Sequence, residues 1–378
     1  MKTQKWMDAG SACAVLGVRR QTLYAYVSRG LLQACSDPGD PRRSLYLAAD
    51  VTALAAKHKR PRARAEVAAG AIRWGDPVLD TAVSDVRDGV LFFGQTPATD
   101  LAQNACLENI AEHHWKVPCE APETGGWPVT GATALERAMA TLVKAAGDAP
   151  ALTGRLRADI AREGAGLLQA ITAASLGIRP QPRPAHEVLA EAWRTPEAAT
   201  LIRQALVLIS DHDLNPSTFA VRVCASTGAS LPASLLAGLT TLSGPRHGGV
   251  GAAAAQAIRA GRTMQAARRF LDDHPDLEPY AFGFGHPHYP DGDCRAVHLL
   301  TALGQNTCAV QCVVRLGKAL ELAPNVDAAL AALALHFRLP AEATFVIFAV
   351  GRTVGWVAHA IEQAESGAII RPKARFVG

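Results

Sequence analysis

Residues 243–249 read SGPRHGG. One imidazole, His247, stands between a proline–arginine pair and two glycines, with almost no side-chain bulk behind it. Glycine lets a backbone or a ligand come close, so this is a poor way to build a core and a good way to build a site. Three other stretches in the C-terminal half use the same device: DHDLNPSTFAVRV (211–223), GFGHPHYPDGDCRA (283–296) and APNVDAAL (323–330). Each sets a titratable residue beside Gly, Pro or Asn. Helix-like runs follow two of the glycine clusters, AAAAQAIRAG (252–261) and RAVHLLTALG (295–304). Helix N-termini offer unpaired N–H groups and favour anions. Histidines are thus held at glycine-rich helix entrances.

The surrounding chain is built to support such a site. It has 378 residues, 49% of them hydrophobic and 19% charged, ample for a large core and too long for one small domain. From about residue 66 onward Ala/Leu-rich stretches dominate, such as TALERAMATLVKAAG (133–147) and PEAATLIRQALVLIS (196–210). Their apolar residues recur at three- and four-residue steps, the helical period. RWGDPVLDTAVSDVRDGVLFFGQT (73–96) is expected to hold one short hairpin. No alternating βα pattern, GxGxxG, P-loop or 20–50-residue repeat is present. The expected fold class of this body is all-α.

No segment reads as the roughly 20 uninterrupted apolar residues of a bilayer span. The longest soft candidate is LPASLLAGLTTL (231–242). MKTQKWMDAG (1–10) has no apolar h-region, so no secretory signal is expected and a cytoplasmic location is. The eight cysteines show no CxxC spacing, and Cys308 and Cys312 fall on one helical face. Reduced thiols packed in a core are expected, with no metal site and no cofactor.

The net charge of +4 hides an asymmetry. Residues 1–64 carry a balance of +8 and the remainder −4. In the basic region, ACAVLGV (12–18) reads as a short helix ending at Gly17, and RRQTLYAYVSRG (19–30) as a second, with a stripe of Leu23, Tyr26 and Val27. DPGDPRRSLYLAADVTAL (37–54) suggests a turn, a short strand and a helix opening near Asp50. Together these resemble the winged helix-turn-helix modules of the MerR-like kind over residues 1–60. The resemblance implies groove contact by Arg19, Arg20, Gln21 and Thr22, with Arg42 and Arg43 on a wing at the phosphates. A small helical domain with a solvated basic face, or a dimer-forming appendage, accounts for the same residues. KHKRPRARAE (57–66) reads as a basic, proline-broken tether.

The ordered set DHDLNPSTFAVRV, GPRHGG, GFGHPHYPDGDCRA, NVD, VGRTVGW (350–356) and RPKARFVG (371–378) resembles the citrate synthase family from about residue 70 to the C-terminus. The helix-turn-helix fused ahead of it resembles a bacterial subgroup of that family. The resemblance implies a small domain over 249–335, a large domain over 70–248 and 336–378, and a linker over 61–69. It implies an acyltransferase that condenses acetyl-CoA with oxaloacetate and water to give citrate and CoA. Removing a weakly acidic proton beside a thioester needs a base at that carbon and a donor at the developing enolate oxygen. By motif, Asp327 matches the base, His247 the donor, acting as neutral imidazole beside a helix N-terminus, and His286 the residue polarising the oxo acid's carbonyl. His212 matches another oxo-acid contact. Arg295 and Arg352 match the cations that fork onto its carboxylates, and Arg371 the arginine that reaches a neighbouring subunit's site in a homodimer. Gly248, Gly249, Phe284 and Gly285 match the segments that wrap CoA.

The chain departs from the family at three places. GGVG stands where many members read GGAN, Pro287 replaces a frequent arginine, and Cys294 replaces a proline just before Arg295. None of these deletes a matched catalytic residue. They bear on rate and acyl preference, so 2-methylcitrate synthase acting on propionyl-CoA stands as the nearest alternative, and a DNA-binding regulator with a metabolite-sensing body as the second. His113 and His114 are expected to form a surface or half-buried pair, His288 and His298 to be incidental, His336 and His359 to be satisfied core histidines, and Trp193 and Trp356 to pack.

Overall fold

The computed structural model describes residues 6–18, 20–28, 31–37, 40–52, 54–55, 79–121 and 130–373. Two compact units emerge, Met1–Asp80 and Thr81–Gly378. Arg19, the expected linker 61–69 and the side chains of Arg20, Gln21 and Arg42 lie outside the described residues.

In the first unit, β1 (Trp6–Asp8) leads into α1 (Ala9–Leu16), whose N-terminal amides at Gly10 and Ser11 donate to the Asp8 carboxylate. Gly17, with φ of 64°, ends α1 in the left-handed conformation that glycine adopts without strain. Next come α2 (Arg20–Ser28), β2 (Ala34–Asp37) and β3 (Asp40–Leu47). The strands form an antiparallel sheet in the order β1-β3-β2, with Tyr46 opposite both Met7 and Ala34. Helical residues resume at 48–52, two positions before the expected start. Ala12, Leu16, Leu23, Leu32, Tyr46, Val51 and Leu54 close a small core of their own.

The second unit begins with the expected hairpin, β4 (Ser84–Arg87) against β5 (Val90–Phe93), extended by a short third strand, β6 (Thr96–Pro97). The rest is helical: α3 (Ala98–Asn104), α4 (Leu107–Trp115), α5 (Ala134–Asp148), α6 (Arg157–Leu176), α7 (Ala185–Ala192), α8 (Ala199–Leu208), α9 (Pro216–Ser226), α10 (Leu231–Leu242), α11 (Val250–Ala260), α12 (Met264–Asp272), α13 (Cys294–Leu303), α14 (Cys308–Leu320), α15 (Val326–His336) and α16 (Ala343–Ser366). Starts are chemically marked. Thr133 and Glu136 form a reciprocal capping box on α5, and Asn215 caps α9 with Pro216 in the first turn.

The centre of this unit is α16. Its most apolar stretch has a mean hydropathy of 1.4, long and apolar enough to cross a bilayer, yet 94% of it is buried inside the fold. The sequence reading overlooked this stretch because Arg352 interrupts it. Neighbouring helices approach closely: a methyl group on Gly164 would lie 2.7 Å from Val357, and one on Gly238 would lie 3.0 Å from the Trp356 ring. The Trp115 indole N–H donates to the Val354 carbonyl at 3.0 Å. Trp356 is fully buried, and Trp193 packs at the edge of the same core.

Several side chains sit differently from the sequence reading. His114 is buried and its Nδ1 lies 3.5 Å from that of His113, because α4 turns this face onto Phe93. His336 ends α15 and is exposed, its ring edge-on to Phe337. His359, by contrast, is the satisfied core histidine expected, buried 3.2 Å from the Asp211 carboxylate. All eight cysteines are free, but only Cys312 is buried, while Cys35 and Cys308 are exposed.

Candidate active site

Four loops at helix entrances build the site, and each is shaped by its own small residues. The 243–249 turn folds back on α10: Gly248 N–H donates to the Leu242 carbonyl at 2.9 Å, and the amides of His247 and Gly249 both donate to the Gly244 carbonyl. A methyl on Gly248 would sit 2.8 Å from the Leu242 carbonyl oxygen, and one on Gly249 would sit 3.0 Å from that of Gly244. The paired glycines are therefore demanded by the turn itself. The turn leaves His247 half-buried, its Nε2 2.9 Å from the Ser217 hydroxyl and its ring edge-on to Phe348. Burial first, and then the Arg352 guanidinium, push its pKa down to about 3, so the ring is neutral.

Ser217 belongs to a network at the start of α9. Its hydroxyl lies 2.7 Å from Asn215 Oδ1 and accepts the Trp356 indole N–H at 3.3 Å. Asn215 Nδ2 donates to the His212 and Asp213 carbonyls, which fixes its amide and holds the DHDLN turn closed. His212 is buried, with Nε2 2.8 Å from the Tyr289 hydroxyl. Burial and the nearby Arg295 push the His212 pKa well down, and burial pushes that of Tyr289 up. The phenol therefore keeps its proton.

The GFGH and PNVD segments are stitched together. Gly285 N–H donates to the Ala323 carbonyl, Asn325 N–H to the Gly283 carbonyl and Asn325 Nδ2 to the Gly285 carbonyl, at 2.8, 2.9 and 3.0 Å. Gly283, at φ of 100°, allows the approach, since a methyl there would lie 2.7 Å from the Ala328 amide nitrogen. Asn325 also caps α15 by accepting from Asp327 N–H at 3.0 Å. Asp293 adds the third tie. Its carboxylate takes a forked pair of bonds from Arg295, at 2.9 and 2.8 Å, and also accepts Val326 N–H at 2.9 Å. Burial opposes the charge of Arg295, but the Asp293 carboxylate overrides it and holds the guanidinium above its ordinary pKa. His286 Nδ1 accepts His288 N–H at 3.2 Å, which leaves Nε2 as the N–H of the neutral ring. Burial and Arg295 hold its pKa near 3.

Arg352 projects from the middle of α16, completely buried, with Nε donating to the Ile209 carbonyl at 2.9 Å. Gly351 and Gly355 flank it on one face. A methyl on Gly355 would lie 2.3 Å from the Ser210 carbonyl and 2.5 Å from Asp211 Oδ1. Arg352 Nη1 is buried without a partner, an orphaned cation donor of the kind a carboxylate ligand satisfies. Burial, opposed chiefly by Asp211, lowers its pKa to about 10.

Asp327 lies half-buried at the start of α15. Burial is the main cause, and the nearby Asp293 adds to it, raising the Asp327 pKa to about 7 against the opposing pull of Arg295 and Arg352. Asp327 and His247 both feel the Arg352 guanidinium, and Asp327, His212 and His286 all feel that of Arg295. Six of the expected residues, His212, His247, His286, Arg295, Asp327 and Arg352, thus gather about two guanidinium groups. A carboxyl poised near neutral that shares its guanidinium neighbours with neutral imidazoles is suited to moving a proton off carbon.

The other expected residues are not among the side chains that share these two guanidinium groups. Arg371 is exposed near the end of the described chain. Phe284 is fully buried in the core beside Gly317 and Phe282. Gly248 is buried, Gly249 exposed and Gly285 half-buried. His298 has a buried Nε2 without a partner, but His288, expected to be incidental, stands in the ring cluster of the site. Sequence reasoning missed Ser217, Tyr289, Asp293 and Asn325. Two of these, Asn325 and Asp293, sit just ahead of helices where a capping residue is signalled, whereas the roles of Ser217 and Tyr289 depend on long-range contacts.

The sequence profile described as "Citrate synthase, C-terminal domain" matches residues 131–373. The chain belongs to the citrate synthase family. Among its relatives are citrate synthase 2 of Bacillus subtilis, 31% identical over 49% of this chain and 52% of the relative, and the citrate synthase of Haloferax volcanii, 34% identical over 51% and 52%. The 2-methylcitrate synthase of Shewanella oneidensis is 33% identical over 46% and 49%. The matching part of the chain spans about half the length of these curated relatives. The fold is also that of the Thermoplasma acidophilum citrate synthase, solved as a ternary complex with carboxymethyl coenzyme A and oxaloacetate. The two align with a TM-score of 0.67 and 21% identity over 80% of this chain and 94% of the other.

Proposed function

We propose that this protein condenses an acyl-CoA thioester with oxaloacetate, with acetyl-CoA as the donor that yields citrate. The observation that carries this reading is Asp327, a carboxyl raised to about 7, set among two neutral imidazoles and the orphaned guanidinium of Arg352. Arg295 and Arg352, with His212, hold the two carboxylates of the oxo acid. Asp327 removes a proton from the carbon beside the thioester. His247 donates a hydrogen bond to the enolate oxygen, its ring held in place against the Ser217 hydroxyl. The enol carbon then attacks the oxo carbon, and His286 Nε2–H stabilises the oxygen that gains charge. Water cleaves the resulting thioester and CoA leaves. Gly248, Gly249 and Gly285 supply backbone along which CoA lies, and Phe284 supports that segment from the core. The 249–335 segment acts as the smaller, closing domain over the larger body.

The test is loss of thioester absorbance with acetyl-CoA and with propionyl-CoA, each with and without oxaloacetate. Consumption that requires oxaloacetate supports the reading. No consumption of either overturns it. One methylene discriminates by only about 1–3 kcal/mol, so faster turnover of propionyl-CoA would make the protein a 2-methylcitrate synthase, the activity named for one of its relatives.

A second activity rests on the first unit. Helices α1 and α2, joined across Gly17, precede a β2–β3 hairpin that carries exposed Arg43, and the region is basic. We infer a winged helix-turn-helix that binds DNA, in a cytoplasmic homodimer whose Arg371 reaches the partner's site. Duplex retention that falls steeply with salt supports this, and its absence at low salt overturns it.

A further inference from the structure

We propose that His359 is a positioning residue of the oxo-acid subsite: from the core it holds Asp211 against α16, and so fixes how Arg352 and His212 face the bound acid. The inference rests on the proposed condensation for the identity of that acid. Its own support is a ladder of buried contacts between the 209–211 chain and one stripe of α16. Positions 352, 355 and 359 lie three and four residues apart, so they share a helix face. They meet three consecutive residues in turn. Arg352 Nε donates to the Ile209 carbonyl at 2.9 Å, and Gly355 N–H donates to the Ser210 carbonyl at 3.1 Å. His359 Nε2 lies 3.2 and 3.3 Å from the two carboxylate oxygens of Asp211.

The last rung joins two titratable side chains that the proposed chemistry does not use, and both are fully buried. Burial opposes the charge of Asp211, but His359 and then Arg352 hold its carboxyl below the ordinary pKa. An ionised carboxylate can only accept, so the ring donates to it through Nε2. On its other side the imidazole meets α9. Arg222 Nη1 lies 3.4 Å from Nδ1 and donates to Glu362 at 3.0 Å, while Arg222 Nε donates to Gln363 at 2.9 Å. Ser84 reaches Asp211 from the hairpin, its hydroxyl donating to Oδ2 at 2.5 Å and accepting Asp213 N–H at 2.9 Å. Asp211 is thus gripped by α16 and by β4. It also has no room to slide, since a methyl on Gly355 would lie 2.5 Å from its Oδ1. The next residue is His212. One carboxylate therefore sets two oxo-acid contacts: His212 through the adjoining peptide, and Arg352 through the Ile209 carbonyl and its own negative charge. A buried charged contact is a weak source of stability, so what this one supplies is the register of the 209–212 chain against α16.

The experiment is calorimetric titration of oxaloacetate into the full chain, in parallel for the wild type, His359→Leu and His359→Gln, with thermal melts and steady-state kinetics on the same proteins. Leucine keeps bulk and loses the donor, while glutamine places an N–H where Nε2 stood. The expected result is a Kd for oxaloacetate raised about tenfold in His359→Leu and returned most of the way in His359→Gln, the size of one hydrogen bond to a charged group. The KM for acyl-CoA should stay put, which a general loosening of the fold would not allow. Should His359→Leu fail to fold, Ser84→Ala loosens Asp211 from the hairpin side and is read in its place, with the same rise in Kd expected. A variant that melts earlier but binds oxaloacetate as the wild type does, or equal weakening by Leu and Gln, overturns the inference alone. Failure of the wild type to bind oxaloacetate overturns both it and the proposed condensation.

Discussion

Asp327 carries the sharpest expectations at the level of single residues. Burial favours its protonated form, and its pKa stands near 7 rather than at the usual 3.8. As a base it must be ionised, so kcat/KM for the acyl-CoA should rise with pH through about 7 and then level off. Asp327→Asn should abolish that rise and lower kcat by about 10²–10⁴-fold. The same shift has a stability sign. The folded state holds a proton that the unfolded chain has released, so this contribution is fully present below about pH 4 and lost as pH rises through 7. Asp327→Asn should therefore melt at a higher temperature than wild type at pH 8, with the difference vanishing near pH 4. Scanning calorimetry at the two pH values checks it. Ser217→Ala should remove the brace on His247 and lower kcat roughly 10–100-fold, the cost of misplacing a catalytic group, with a smaller effect on oxo-acid binding. Steady-state kinetics measures the split.

Among the elements, α16 and the α15 entrance decide how those residues meet. Gly355→Ala would drive a methyl into the Ser210 carbonyl and the Asp211 carboxylate. Overpacking of this kind costs about 1–3 kcal/mol, and the displaced 209–211 chain would carry Arg352 with it through the Ile209 carbonyl. Denaturant midpoints and oxaloacetate affinity should fall together. Asn325→Ala should cost about 1 kcal/mol as a lost cap, and should weaken oxo-acid binding because Asn325 also ties α15 to the Gly285 carbonyl. Urea unfolding and calorimetric titration measure the two effects. These elements mark what the sequence made readable. Helical periodicity and the Gly/Pro/Asn punctuation announced α5, α8 and the entrances around His247 and Asp327, because both signals are local. The Asp293–Val326 and Tyr289–His212 contacts were invisible, because nothing within a few residues of Asp293 or Tyr289 says which distant amide or ring they will meet. His114 was misread for a related reason: adjacency in the chain says that two side chains diverge, not which of them the fold covers. The glycines at 248 and 249 were noticed, but their cause is the turn's own carbonyls, which no sequence pattern displays.

For the whole molecule, each unit has its own hydrophobic cluster, so the two should be separable. A chain beginning at Thr81 should keep its thermal transition and most of its condensing activity while losing any affinity for duplex DNA. A thioester assay beside a filter-binding titration checks this. Persistence of salt-sensitive DNA retention without residues 1–80 would move the nucleic-acid surface onto the helical body. The charge balance supports the expected outcome, since the basic excess is confined to residues 1–64.

Cys35 and Cys308 are both free and exposed. Any chromogenic disulfide reagent chosen to count liberated coenzyme will therefore also label the polypeptide. A colour step of two equivalents per chain should precede the first turnover and recur unchanged when both substrates are omitted. Replacing these two side chains by serine would give a silent background, and a preparation stored in air would lose the step before it loses its helices.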